Sequence, residues 1–313
     1  MKLNYFKTVG FISFLLFLSE INCHAQKKIN ALEVGLGSSY YFGDLSPYED
    51  MAVGFITTPS FNFHFGYTQY IDERSEIIYD LTFARIVGDD FSFAKHNIQA
   101  YKEQFIRNLH FRNDIKELSA RWRYHFKPTN MREHMDRPKF NAYATLGFGI
   151  IGHNPEAKLP AGFSGSNWVY LRDKNTSGQH LLQDKYSLVQ IVIPFGIGMR
   201  YKLSKYIDLN LESVLRISGT DYLDDVANTK YIPANLFDTA ESYALHNRST
   251  EVNAIYSGQS RNSYIKELYG QNANINTITA KELGTQRGFN KLFRKNDGYC
   301  LVNLSLIYWL EKR

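Results

Sequence analysis

Eight stretches of the chain alternate between apolar and polar residues with period two, the signature of half-buried strands. They lie near 31–43, 59–68, 75–86, 114–126, 139–151, 186–201, 206–218 and 299–310. In the fourth, Leu118, Ala120, Trp122, Tyr124 and Phe126 alternate with Glu117, Ser119, Arg121, Arg123 and His125. In the sixth, Val189, Ile191, Ile193, Phe195, Ile197, Met199 and Tyr201 face away from Gln190, Gly196, Gly198 and Arg200. One such stretch is a weak signal. Eight, nearly all long enough to span a bilayer as tilted strands, are a strong one.

The connections add a second, independent pattern. Short ones near 69–74, 127–138 and 202–206 alternate with long ones near 44–58, 87–113, 152–185 and 219–298. Strict alternation of this kind predicts an all-β fold: an eight-stranded up-and-down antiparallel transmembrane β-barrel with long outer loops and short periplasmic turns. A soluble barrel of lipocalin type would alternate as well, but with its charges outside. Here the apolar rows are long and aromatic. The opposite face carries Glu33, Asp80, Glu117, Arg121, Arg123, Arg200, Glu212 and Arg216. Each Arg turned to lipid near the midplane would cost about 2–4 kcal/mol, whereas inside the barrel the two signs pair. The expected arrangement is therefore apolar face to lipid and a charge network in the lumen. Tyr40, Tyr67, Trp122, Tyr124, Tyr201 and Tyr308 fall where interfacial aromatic belts are expected.

Composition supports this reading. Aromatic residues make up 15% of the 313 positions, and charged residues 21%. No apolar run reaches the roughly 20 residues of a membrane helix. Residues 1–25 read as a secretory signal peptide, with Lys2 and Lys7 before a short apolar stretch and Cys23-His24-Ala25 at its end. Alternatives are a permanent anchor or lipidation at Cys23. Cleavage lowers the formal charge from +5 to +4 and leaves Cys300 as the single cysteine of the barrel, residues 26–313, so no internal disulfide is expected. The location expected is the cell outer membrane, with both termini periplasmic.

Candidate chemistry is sparse. The nine histidines form no HExxH pattern and no Cys/His pairing, so no metal and no cofactor are expected. His64 and His125 fall on the lumen face, where a hydrogen-bonded polar plug is the expected role. The pairs Gly35/Gly37, Gly147/Gly149 and Gly196/Gly198 lie on the same inward face and make room for larger neighbours. Asp221, Asp224 and Asp225 are solvated loop charge or, as the sharper alternative, a calcium site. A lipid-modifying enzyme would need a Ser or Asp beside a His at one membrane depth. Ser38, Ser39, Ser119 and Ser187 are too ordinary to argue for one, and no catalytic residue is assigned. The long segment 219–298 reads as an outer cap or docking surface, with a short helix near 262–270.

Charge on the periplasmic rim, counted over the N-terminal tail, the three short turns and the C-terminus, sums to +5. Arg132, Arg137, Lys202 and Lys205 are the candidate partner-binding residues; inner-leaflet headgroups are the other reading.

Five segments in order carry a family resemblance: LEVGLGSSYYFGDL (Leu32–Leu45), RNLHFRNDIKELSA (Arg107–Ala120), YSLVQIVIPFGIGMRYKLS (Tyr186–Ser204), DYLDDV (Asp221–Val226) and TQRG (Thr285–Gly288). Together they resemble the PorG-like outer-membrane barrels of Bacteroidetes (DUF6089). The resemblance runs through nearly the whole mature chain, although the segment between DYLDDV and TQRG is longer than expected. It implies a non-enzymatic component of the type IX secretion system that associates with a periplasmic ring of PorK, a lipoprotein, and PorN, without being the translocation pore. A membrane-embedded lipid-modifying enzyme and an OmpA-like structural or adhesion barrel are the alternatives.

Overall fold

The structure, a computed structural model, describes residues 30–46, 51–129, 137–165, 167–178, 185–227, 230–277, 287–288 and 296–310. The segment expected to be a signal peptide lies outside them, as do Cys23 and Arg132.

Eight long strands form the wall: β1 Asn30–Phe42, β2 Ser60–Tyr70, β3 Ser75–Asp89, β4 His110–His125, β5 Phe140–Gly152, β6 Val189–Lys202, β7 Ile207–Ser218 and β8 Gly298–Leu310. Each pairs antiparallel with its sequence neighbours, and β1 pairs with β8 to close the barrel, with Asn30 opposite Leu310. Closure satisfies every strand edge, a requirement in hydrocarbon, where an unpaired N–H or C=O has no water to bond. The expected strands match closely except at the outer ends of β3 and β4. These run on to Asp89 and back to His110, and remain paired there. There Ile86, Phe111 and Ile115 are buried in the apolar core at the long-loop end.

The register turns the apolar rows outward. Leu36 is 70% exposed, Ile197 67% and Leu118 57%, while Glu33, Glu117 and Arg123 are buried. A surface of this kind is stable only in contact with lipid. Tyr67, Trp122, Tyr201 and Tyr308 lie exposed in the belt, and Tyr40 and Tyr124 are half-buried.

The interior has three tiers. Ala31, Tyr70, Ile307 and Trp309 form an apolar floor at the short-turn end. Ionic side chains fill the middle. An apolar core at the long-loop end joins Ile86, Phe111, Ile151, Val192 and Leu301 to Leu45, Leu223 and Leu245 from the loops. Period-two alternation anticipated a polar lumen throughout. It becomes apolar at the top because the loops cover that end and remove it from water.

The long loops fold as a cap. Phe91, Phe105, Ala254 and Ile265 form a second core. The helix expected near 262–270 is present at Asn262–Tyr269. A first helix, α1, spans Met51–Thr57 and packs Phe55 against Tyr40 and Phe42, with ring centroids 4.3 and 5.7 Å apart.

Candidate functional site

The middle tier is filled by buried ion pairs, most of them joined in one network. Arg121 on β4 bonds Asp80 through Nε at 2.7 Å and Glu212 through Nη1 at 2.8 Å. Two residues along, Arg123 reaches Glu33 at 2.7 Å, Glu212 at 2.9 Å and Glu76 at 3.3 Å. Arg200 donates to Glu76 through Nη2 at 2.6 Å and Nη1 at 3.2 Å; its Nη1 also donates to the Tyr70 hydroxyl at 2.9 Å. Arg216 and the hydroxyl of Tyr299 both donate to Glu117 Oε2, at 3.1 and 2.7 Å. All eight residues expected in the lumen are there and buried. Glu76, visible on the polar face of the third stretch, belongs with them. So does Tyr143, whose hydroxyl lies 2.8 Å from Glu212.

The spacing explains why these residues meet. Arg121 and Arg123 are two apart on one strand, so both point inward about 7 Å apart. Carboxylates from β1, β3 and β7 then fall on either side. Small residues opposite leave the space. A Cβ at Gly198 would overlap the Tyr143 ring, and one at Gly35 would lie 2.5 Å from His64 Cε1. His64 and His125 stand 3.5 and 3.3 Å from Glu33 and Glu76, inside the bore and away from lipid.

The short-turn end is closed by a residue expected to be free. Arg137 is buried. It grips Asp208 with Nε at 2.9 Å and Nη2 at 2.7 Å, donates to the carbonyls of Ser204 and Lys205, and lies 4.7 Å from the Trp309 ring centre. Trp309 Nε1 donates to the same Asp208 at 2.8 Å. Arg137 is thus part of the floor and not an exposed rim contact. Asp208, inward on β7, has its charge matched by this turn residue. Of the other rim candidates, Lys205 is exposed, with its ammonium 4.9 Å from the Tyr206 ring, and Lys202 is half-exposed.

A second cluster, a collar, joins bore and cap. The Tyr41 hydroxyl lies 2.6 Å from Asp224 and 3.0 Å from Asp297, and accepts the Asp44 N–H at 3.0 Å. Asp44, Asp224 and Asp297 bring carboxylate oxygens within 4.8 Å of one another. Such a set suits a hard cation. Here, however, the backbone N–H groups of Leu223 and Val226 bond Asp297 and Asp224, and the cluster is accounted for as an anchor for the turn. The expected trio Asp221, Asp224 and Asp225 does not converge. Asp225 turns away to Thr176 at 2.5 Å, Tyr186 at 3.0 Å and Arg287. Burial pushes Asp225 up to about 6.

Four of the five segments behind the family resemblance meet at this collar. Arg107 donates to the carbonyls of Asp44 and Arg287, at 2.9 and 2.7 Å, and Arg287 donates to the carbonyl of Asp225 at 2.8 Å. No periodicity could have revealed these contacts, which link loops far apart in the chain.

Outside the bore, His246, His110 and His153 are tied to backbone, while His96 is exposed. His246 accepts the Ile232 N–H through Nε2 at 3.1 Å, with Nδ1 2.6 Å from the Thr176 carbonyl. Burial and Arg287 push it down to about 3. His110 accepts the Lys158 N–H, and His153 meets the Ser187 carbonyl.

No protein-family model matches the sequence, and no curated protein matches it. Among solved structures the chain is similar to Neisserial surface protein A, with 9% identity and a TM-score of 0.37 over 89% of this chain and 96% of that one. It is also similar to Ail, the attachment invasion locus protein of Yersinia pestis, solved with the heparin analogue sucrose octasulfate. There the identity is 8% and the TM-score 0.34, over 90% of this chain and 99% of that one. Likeness at this level carries no function across. The closed eight-stranded wall, its exposed apolar belt and its charged bore define the class: an outer-membrane-type β-barrel.

Proposed function

We propose that the chain is a non-enzymatic outer-membrane barrel that anchors a type IX protein-secretion assembly by docking the periplasmic ring proteins PorK and PorN at its short-turn end. The observation that carries the reading is the filled bore. A barrel plugged by an ion-pair network, floored by Trp309 and Arg137 and capped by its own loops has no conduit to offer. Its use to an assembly is then as a fixed point in the membrane. The lipid belt sets its depth and its two ends present surfaces. The five PorG-like segments supply the particular assembly. The non-enzymatic part is supported by His64 and His125, enclosed in the bore, and by His110, His153 and His246, bonded to backbone.

With Arg137 built into the floor, docking falls to Lys202, Lys205 and Arg132. The test is recovery of PorK and PorN with the barrel after mild detergent extraction. Lys202→Glu/Lys205→Glu, at unchanged membrane insertion, is expected to lose most of that recovery through like-charge repulsion and loss of steering. Full recovery would overturn rim docking. An adhesion role is the second reading, favoured by the cap's own core. Deleting 230–280 would then abolish surface binding and leave secretion intact.

A further inference from the structure

The outward wall of the barrel carries charge in a single sector. Among outward strand positions that are not buried, the Asp, Glu, Lys and Arg residues are Arg85 on β3 and Arg112, Asp114 and Lys116 on β4. Everywhere else the wall is apolar or neutral. The four form a ladder on one face. Arg85 sits opposite Asp114 and bonds it twice, at 2.6 and 2.8 Å. Arg112 donates from Nε and Nη2 to one oxygen of Glu156, Oε2, at 3.0 and 2.8 Å. Lys116, exposed and opposite Phe83, forms no ion pair among the described residues. The ladder therefore has three cations against two carboxylates, and the surplus charge is Lys116.

Its depth is informative. Ten residues separate Ser75, at the short-turn end of β3, from Arg85. At about 3.4 Å per residue and a tilt of about 40°, Arg85 stands about 26 Å up the wall, the top of an apolar band about 25 Å tall. Lys116, level with Phe83, is about 5 Å lower and can extend its ammonium to the headgroup plane along its own stem. Directly beneath lies an aromatic trough. Phe63 stacks on Phe83 at 5.0 Å, and the Arg85 guanidinium lies 5.5 Å from the Phe61 ring centre. Above β2, helix α1 touches both β1 and the short helix Asp90–Ala94 that follows β3. It carries no charged residue, buries only Gly54 and leaves Ile56 74% exposed.

We propose that this sector is a lipid-binding site for a phosphate-bearing headgroup of the outer leaflet. The Lys116 ammonium contacts the phosphate, with Arg85 and Arg112 flanking it, while acyl chains lie along Phe61, Phe63 and Phe83 beside α1. The chemistry required is an anionic phosphate at the membrane surface joined to chains that fill the trough; a glycolipid of lipid A type and an anionic phospholipid both supply it. The site needs the barrel to sit in a membrane but does not depend on ring docking, so loss of either function leaves the other testable.

Native mass spectrometry of the detergent-purified full chain tests it, with phosphorylated lipid A, the same lipid stripped of phosphate, or phosphatidylglycerol added. The intact chain is expected to retain a phosphate-bearing lipid and to release the stripped one; which of the two phosphorylated lipids is held better identifies the source. Lys116→Glu is expected to lower retention about tenfold, the loss of one charge-assisted contact. Asp114→Asn, which removes a competing anion, is expected to raise it, and Lys205→Glu at the far end is expected to change nothing. Lys116→Gln serves if the glutamate variant does not reach the folded, heat-modifiable form. Equal retention of the stripped lipid, no retention of any phosphorylated lipid, or unchanged retention in folded Lys116 variants would overturn the site.

Discussion

The bore and the cap both bury arginines, and they satisfy them differently. In the bore, Arg121, Arg123, Arg200 and Arg216 are met by carboxylates of Asp80, Glu33, Glu76, Glu212 and Glu117. In the cap, Arg261 donates to four backbone carbonyls, those of Ser249, Glu251, Phe105 and Ile106. Arg287 takes the carbonyls of His246 and Asp225, and Arg248 takes that of Lys158. The reason is the backbone. In a closed barrel the strand carbonyls are taken up by the ladder, so a buried guanidinium is met chiefly by side-chain anions, although Arg216 also donates to the Val214 carbonyl at 3.0 Å. In irregular loops the carbonyls are orphaned, and one arginine can satisfy several while tying distant segments together. Arg107, Arg248 and Arg287 combine the two: Arg107 has Asp90 on one side of its guanidinium and two carbonyls on the other, Arg248 also pairs with Glu251 at 3.0 Å, and Arg287 stands 3.6 Å from the Asp225 carboxylate. The titration of the cap arginines follows. Burial pulls Arg261 down to about 10, whereas in Arg107 the attraction of Asp90 outweighs burial and holds it above its ordinary value.

The sharpest break of this contrast is in the bore. Arg123→Met leaves Glu33 without an arginine and takes one of two from Glu76 and Glu212, which keep Arg200 and Arg121; it should cost about 3–5 kcal/mol, the scale for breaking a buried pair from one side. It would be measured as a lowered urea midpoint for the folded form in vesicles. Adding Glu33→Gln to that variant should recover part of the loss, because one stranded charge is then gone.

In the cap, Arg261→Met should cost about 2 kcal/mol, because it leaves carbonyls and no carboxylate behind. The loss should be local. Hydrogen exchange ought to accelerate across 249–270 while the strands keep their protection. A barrel that melted in step would show that the two regions are one cooperative unit.

Acid should separate the regions as well. His246 and His153 are pushed down to about 3 and about 4 by burial. Their contribution is present above the unfolded value near 6.5 and is lost as pH falls below it. Asp225 runs the other way. Raised to about 6 by burial, its contribution is lost as pH rises through that value and returns on acidification. Two histidines outweigh one aspartate, so lowering pH from 7 to 5 should weaken the cap by about 2 kcal/mol. Limited proteolysis of the cap at the two pH values measures this. Greater protease resistance at pH 5 would reverse the sign.

The smallest expected effect is Gly198→Ala. The added methyl meets the Tyr143 ring, which must shift from Glu212, at a cost of about 1 kcal/mol. The same change at Gly152, whose Cβ would meet nothing within 4 Å, should be neutral.

Strand number, strand order, the lipid-facing row and the eight charges of the bore were all legible from alternation, since a period of two assigns every residue to a face. Closure in hydrocarbon leaves the polar face a single place to go. Arg137 shows where that logic stops. A turn residue has no period, so nothing local says whether it points to solvent or folds in, and the need of Asp208 for a partner decided it. The same holds for the apolar top of the bore and for the collar, where Arg107 meets Arg287 across 180 residues. Alternation expresses a local rule between each side chain and its solvent, and it can be read along the chain. Contacts among loops express packing of segments brought together only after the wall has closed, and they exist only in three dimensions.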